Sequence, residues 1–322
     1  PAKKTFLISL VSFIPYFSTG VYWTYNALHN YGNAPVILAL GLTFLLILTL
    51  AILMSLPLFL VNLFFRHQTA VKKTIFLYPV SMVFFEWIRG HQILSGFPWL
   101  IIGYSQTQGL LNELSPIIGV FGLSLLLYTI SGCLSALFLT KNRFSKNCII
   151  MFFILITLIL IPLHNKNFTY LDNNLSSVAL IQGDIKQNIK HETNPLITIE
   201  KYNRLSRQAL QKAQDQGLQK RILVVWPEST IPLVINDKTN NSSEYKKNRI
   251  DQLNPTILQW ISPTLEKTQL DSGFFLTGAF YQNYNLNKIY SALISFPPDK
   301  SKRYQLYFKH NLVPFGEYYP LQ

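Results

Sequence analysis

Three residues in the last third of the sequence have the types and settings for acid–base and oxyanion chemistry: Glu228, Lys309 and Glu317. Glu228 follows an apolar run, Arg221 to Val225 (RILVV), and comes directly after Trp226 and Pro227. Proline has no amide hydrogen for a ladder, so the strand ends there and the carboxylate is set at a fixed exit from the core. Partly desolvated at such an exit, it can serve as a general base. Taken alone, a glutamate in a loop is more often an N-cap or a surface residue. Lys309 ends a second expected strand, Arg303 to Phe308, where an ammonium can donate to a developing oxyanion. Its ordinary alternative is an edge-strand lysine that discourages edge-to-edge association. Glu317 follows across Val313, Pro314, Phe315 and Gly316, a stretch too rigid and apolar for a casual surface loop, and its alternative is a salt bridge to Lys309 or His310.

The elements that must position these residues follow a strand–helix–strand pattern. Ser177 to Gln182 (SVALIQ) reads as a buried strand. Asn194 and Pro195 then make a capped helix start, and Ile199, Tyr202, Leu205, Ala209 and Ala213 recur at spacings of three and four up to Gly217. After the RILVV strand, a second helix is expected at Thr256 to Ile261, an apolar strand at Phe274 to Phe280, and two strands flanking the Pro297, Pro298, Asp299 turn. This is an α/β layered pattern with the residues of interest at strand ends.

Ahead of this region the character of the chain is different. Of the 322 residues, 49% are hydrophobic and only 13% charged, and most of that excess lies in the first half. Uncharged stretches run from Thr5 to Asn26, Val36 to Phe65, Thr74 to Phe85, Ser115 to Thr140 and Cys148 to Leu163. About 20 mostly apolar residues suffice for a helix to cross a bilayer, so five crossings are expected, the third and fifth being short. A multi-helix transmembrane domain over 1–166 and a polar domain over 167–322 follow, with the boundary in the polar linker at about residues 164–176.

The net charge of +13 does not indicate nucleic acid. Residues 1–166 hold ten Lys/Arg against two acids, and the rest 18 against 13, without a dense basic run interleaved with aromatics. Eight of the first ten fall in three clusters: Lys3 and Lys4; Arg66, Lys72 and Lys73; Lys141, Arg143 and Lys146. These occupy every second connection between the expected helices, which by the positive-inside rule starts the chain in the cytoplasm and places the polar domain on the opposite side. Cys133 and Cys148 sit in or beside apolar helices and read as buried thiols rather than a disulfide framework. With no metal-ligand cluster, glycine-rich phosphate loop or nucleotide motif, no cofactor is expected. Lys3 and Lys4 precede an apolar segment without a small-residue cleavage site, so a cleaved signal peptide is not indicated.

VVWPESTIP (Val224 to Pro232) together with YFKHNLVPFGEYYP (Tyr307 to Pro320) resembles the paired signature of the apolipoprotein N-acyltransferases. GFPWL (Gly96 to Leu100), GYSQ (Gly103 to Gln106) and QGDIKQNIK (Gln182 to Lys190) are similar to further landmarks of that family. The resemblance implies an αββα nitrilase-like sandwich on the periplasmic side of the bacterial inner membrane, with a Glu, Lys, Cys triad. Glu228 matches its base, Lys309 its oxyanion stabiliser and Glu317 a further acidic residue of the site. It implies transfer of an acyl chain from a phospholipid, through a thioester, to the N-terminal amine of an S-diacylglyceryl-cysteine apolipoprotein.

The family's nucleophilic cysteine is expected some tens of residues past LVPFGE, beyond Gln322, so the printed chain reads as lacking both ends and as inactive alone. His191 stands where the family pattern has Trp. A membrane-tethered amidase and a noncatalytic product are the competing functions. Within the membrane half, Glu86 and Arg89, three apart, are expected either to pair on one helix face or to meet headgroups, and Trp23, Trp87, Trp99 and Tyr104 read as interfacial aromatics.

Overall fold

The structure is a computed structural model that describes residues 2–92, 96–109, 111–139, 177–185, 195–218, 222–236, 255–270, 273–283, 288–299 and 304–312. It divides into two compact units, residues 1–170 falling in the first and 171–312 in the second.

In the first unit, α1 (Ala2–Val21) continues through short helical turns to Tyr31, and α2 (Val36–Phe64) packs along it. Phe17 and Val21 of α1 meet Ile47, Leu50, Ala51 and Met54 of α2 in one buried cluster with Met82. The outer face of α2 is equally apolar yet exposed, with Ile37, Leu40, Phe44 and Leu45 all uncovered. A helix apolar all round and uncovered on one side suits a hydrocarbon surround. A helical run then begins at Ala70, capped by the Thr69 hydroxyl, passes through a π turn at Lys73–Leu77 and becomes α3 (Tyr78–His91). Next comes α4 (Ser115–Leu139), interrupted at Gly119, where φ is 64°. Gly132 lets α4 close onto the π turn, since a Cβ there would lie 2.2 Å from the Thr74 carbonyl oxygen.

Ala2–Val21, Val36–Phe64 and Asn112–Ala136 are long and apolar enough to cross a membrane. The protein is thus a multi-pass membrane protein. The expected third crossing lies inside the helical run from Ala70 to His91, which also carries Lys72, Lys73, Glu86 and Arg89. The fifth expected crossing, with the cluster Lys141, Arg143 and Lys146, lies outside the described residues.

Glu86 and Arg89 depart from both expectations. Each is only 1% exposed, so neither faces headgroups, and they do not form a direct ion pair. Instead they hold the GFPWL–GYSQ segment. Glu86 Oε1 accepts from the Ile102 amide at 3.1 Å and from the Tyr128 hydroxyl at 2.9 Å. The Arg89 guanidinium donates to the Trp99 and Leu100 carbonyls and lies 5.5 Å over the Phe17 ring. Over residues 96–101, ahead of the 3₁₀ turn at Ile102–Gln106, the chain is not helical, so its amides and carbonyls lack partners within a helix. In an apolar surround such groups must be satisfied by side chains, and the two charges do so. Gly103 seats the segment against α4: its amide donates to Ser124 Oγ at 3.0 Å, and a Cβ there would lie 2.1 Å from the Val120 carbonyl oxygen.

The second unit is a mixed six-stranded sheet with helices on one face. Its strands are β1 (Ser177–Leu180), β2 (Ile222–Val225), β3 (Ile231–Asn236), β4 (Phe274–Asn283), β5 (Lys288–Phe296) and β6 (Gln305–Phe308), in the order β1-β2-β4-β5-β6 with β3 also on β4. The first four pair in parallel and the last two are antiparallel additions. α5 (Pro195–Asp215) and α6 (Pro255–Leu270) cover one face, where Ile199, Tyr202, Leu210, Ile257, Ile261 and Leu265 meet Ile222, Val224, Phe275, Ile294 and Phe296. α5 ends as its periodicity predicts, with Gly217 at φ 70° and the Leu218 amide returning to the Ala213 carbonyl at 2.9 Å.

Two elements differ from expectation. β1 is half-buried rather than buried: Val178 and Leu180 point to the face opposite the helices and are 53% and 76% exposed. α6 runs nine residues past Ile261, through Pro263. Its buried stripe continues in Thr264 and Thr268, whose hydroxyls bond Asn203 Oδ1 and the Thr264 carbonyl at 2.7 Å each. Together the membrane helices and the α/β unit form a transmembrane plus nitrilase-like architecture.

Candidate active site

β4 is long enough to pair with two consecutive strands along one edge. Its first residues pair with β2 (Leu223 with Phe274, Val225 with Leu276) and its last with β3 (Ile231 with Ala279, Asn236 with Gln282). Between β2 and β3 the chain stays on the ladder for one more residue, the Trp226 amide donating to the Leu276 carbonyl at 2.8 Å, and then lifts off as Pro227, Glu228, Ser229 and Thr230. The turn is closed by the Thr230 hydroxyl on the Pro227 carbonyl at 2.6 Å, with Ser229 in the left-handed region at φ 54°. It presses on Gly278 of β4, where a Cβ would stand 2.7 Å from both the Glu228 Cα and the Ser229 amide nitrogen. Glu228 thus projects from a break in a parallel ladder, opposite a residue without a side chain.

The floor of the break is aromatic. Trp226 is 1% exposed, its indole donating to Ser206 Oγ of α5 at 2.8 Å, and its ring lies 4.9 Å from Phe275 and 5.4 Å from Tyr202 between centroids. Tyr202 also joins the exits of the two parallel strands. Burial pushes its phenol above the ordinary 10.0, partly offset by hydrogen bonds with the Gly183 main chain and the Thr230 side chain. Gly183, in the QGD segment after β1, has no room for more, since a Cβ would meet the Tyr202 ring at 2.7 Å. Its neighbour Asp184 holds a positive φ of 45°. Non-glycine residues in that region are uncommon and collect at functional sites.

Lys309 arrives from the other side of the sheet order. It is the first residue after β6, and its amide donates to the Ser291 carbonyl of β5 at 2.9 Å. Its Nζ lies 3.1 Å from Glu228 Oε1, and the Ser291 hydroxyl donates to the same oxygen at 3.2 Å. The two residues singled out for base and oxyanion donor, 81 positions apart, therefore meet. Glu228 is 60% exposed and Lys309 29%, so the desolvation expected at the strand exit is not provided by the described residues. Hydrogen bonding, not burial, holds this carboxylate. Glu317 and His191 lie outside the described residues. Ser291, Gly278 and Tyr202 carried no sequence signal beyond a serine or glycine within an apolar strand and an apolar helix position. No group of three His, Cys, Asp or Glu that could hold a metal occurs among the described residues. A carboxylate beside an ammonium at the carboxyl ends of parallel strands can take a proton and stabilise a nearby anion.

Residues 1–133 match the model of the apolipoprotein N-acyltransferase N-terminal domain. Apolipoprotein N-acyltransferase from Coxiella burnetii is 30% identical over 304 residues, covering 94% of this chain and 56% of the relative. The chain thus shows a family-level match to the apolipoprotein N-acyltransferases. The enzymes of that name from Methylococcus capsulatus and Vibrio parahaemolyticus are 27% and 30% identical, each across 95% of this chain and 54% and 55% of their own lengths. The chain thus spans a little over half the length of these curated relatives. The three long apolar helices and the bacterial relatives together support a multi-pass inner-membrane protein.

Proposed function

We propose that the full-length protein transfers an acyl chain from a phospholipid to the free α-amine of an S-diacylglyceryl-cysteine apolipoprotein, by two half-reactions through a thioester. The observation that carries this reading is the 3.1 Å contact between Lys309 and Glu228 at the break between β2 and β3. The family-level match supports it.

In this reading the nucleophile is a cysteine thiol from the part of a full-length family member not shared with this chain; Cys133 is buried within α4. Glu228 takes the thiol proton and the thiolate attacks the ester carbonyl of the phospholipid. Negative charge collects on the carbonyl oxygen, where the Lys309 ammonium stabilises it. The intermediate collapses to a thioester, and the lysophospholipid oxygen leaves with the proton held by Glu228. In the second half the α-amine attacks the thioester, Lys309 again faces the oxyanion, and Glu228 moves the amine proton as the thiolate leaves. One base and one oxyanion donor serve both halves. By the resemblance of the LVPFGE segment, Glu317 is a further acidic residue in this reading. No cofactor takes part. A membrane domain over 1–166 with about five crossings, and a catalytic domain over 167–322 on the periplasmic side, suit substrates that are both lipid-anchored. The clustering of Lys/Arg in alternate connections supports that orientation.

The test is acylation by the complete reading frame in membranes, with a fluorescent-acyl phospholipid and a diacylglyceryl peptide. Wild type is expected to form a hydroxylamine-sensitive acyl-enzyme and N-acylated peptide, and Glu228→Ala and Lys309→Ala to lose about a hundredfold or more in rate. Variants that acylate like wild type, or a wild type that releases ammonia from small amides and acylates nothing, would replace this reading with that of a tethered amidase.

A further inference from the structure

Ser291 contributes two polar groups to the candidate site. Its main-chain carbonyl accepts the Lys309 amide at 2.9 Å and its hydroxyl donates to Glu228 Oε1 at 3.2 Å. The first contact anchors the base of the lysine stem at the end of β6; the second anchors the tip of the glutamate. Ser291 itself is fixed by the β4–β5 ladder, where it pairs with Phe280.

We infer that Ser291 is a positioning residue for Glu228, holding one carboxylate oxygen so that the other, Oε2, is the one that receives the proton. The inference rests on the reading of Glu228 as base. Two donors converge on Oε1, the Ser291 hydroxyl and the Lys309 ammonium at 3.1 Å, and Oε2 accepts no hydrogen bond among the described residues. Donors on one oxygen draw its lone pairs into hydrogen bonds and leave the other as the open acceptor. The need for such a hold follows from exposure. At 60% exposed, Glu228 has little packing to restrain its rotation, and Lys309 is a point charge on a flexible stem. When the ammonium turns toward a developing oxyanion its grip on Oε1 loosens, and the serine, rooted in a strand, keeps the carboxylate in place.

The test compares Ser291→Val with Ser291→Thr in the full-length protein in mixed phospholipid–detergent micelles. The two side chains share a branched shape that strands favour and differ in a methyl against a hydroxyl. Acyl-enzyme formation from a fluorescent-acyl phospholipid is followed to give kcat and KM, with the unfolding midpoint of each variant alongside. The threonine variant is expected within about twofold of wild type, and the valine variant to lose about tenfold in kcat with KM unchanged, the scale of one hydrogen bond. Equal rates in the two variants, or a joint loss that follows a joint fall in unfolding midpoint, would overturn the inference. Glu228→Gln is run in parallel to separate the two claims. If it acylates at the wild-type rate, Glu228 is not the base and both claims fall. If it is inactive while valine and threonine variants match, only the role of Ser291 is overturned.

Discussion

Each unit contains a carboxylate and a cation of interest, and the two couples behave oppositely. Glu86 and Arg89 sit one helical turn apart, are almost fully buried, and do not form a direct ion pair. Glu228 and Lys309 are 81 residues apart, partly exposed, and meet at 3.1 Å. The difference lies in what else competes for the charges. In the membrane unit a non-helical segment brings main-chain amides and carbonyls that have nowhere else to turn, and the side chains serve those first. At the break in the sheet the two charged side chains, with the Ser291 hydroxyl, bond one another instead of the main chain. The first couple is buried against main-chain groups, and the second is partly exposed at a strand exit.

That contrast is most open to attack through stability. Arg89→Ala leaves the Glu86 carboxylate buried beside two unsatisfied carbonyls and is expected to destabilise the protein by about 3–5 kcal/mol. Lys309→Ala, which breaks a partly exposed pair, is expected to cost about 1 kcal/mol or less. Denaturant unfolding of both variants in detergent measures the difference, and equal losses would dissolve the contrast.

A smaller effect sharpens the catalytic side. Gly278→Ala puts a Cβ against the main chain of Glu228 and Ser229 and is expected to cost about 1–3 kcal/mol while lowering acylation by displacing Glu228. Gly217→Ala, strained at φ 70° but with open space around it, is expected to cost about 1 kcal/mol and leave acylation intact. Loss of activity in both variants would mean that stability, not the approach to Glu228, is being read.

The smallest effect concerns pH. Burial raises the Tyr202 phenol above 10.0 in the folded protein, so the native state holds this proton more tightly than the unfolded chain. The corresponding stability is complete below the ordinary phenol value and is lost as pH rises through the folded one. Tyr202→Phe is expected to flatten the decline in stability above pH 10, seen by comparing unfolding midpoints of the two proteins at neutral and alkaline pH. An unchanged alkaline slope would show that the phenol joining Gly183 and Thr230 is not held as described.

Where periodicity was unbroken, the elements could be read in advance. α5 announced itself by Ile199, Tyr202, Leu205, Ala209 and Ala213 and by the glycine that ends it, and β2 by its apolar run before Pro227. The C-terminal half of α6 is not legible in the sequence because its inward face passes from isoleucines to Thr264 and Thr268, and the Thr264 hydroxyl finds Asn203 only once α5 is beside it. β3 is not legible in the sequence, since Pro232 interrupts a strand whose remaining donors still pair with β4. Glu228 and Lys309 were legible as residue types at strand ends. Their contact was not, and neither were the serine and glycine that position one of them.

The sequence by itself determined an apolar helical half, an α/β half, and the acid and base types stationed where strands stop, because hydropathy, periodicity and chain-breaking residues are local properties. Only the tertiary structure decided that β4 would take two strands on one edge and open a gap between them at Gly278. It also decided that Lys309, at the end of β6 beside β5, would reach that gap, and that Glu86 and Arg89 would bind a loop rather than each other. These outcomes depend on which hydrogen-bonding groups are left unsatisfied once distant segments pack, and no window along the chain contains that information.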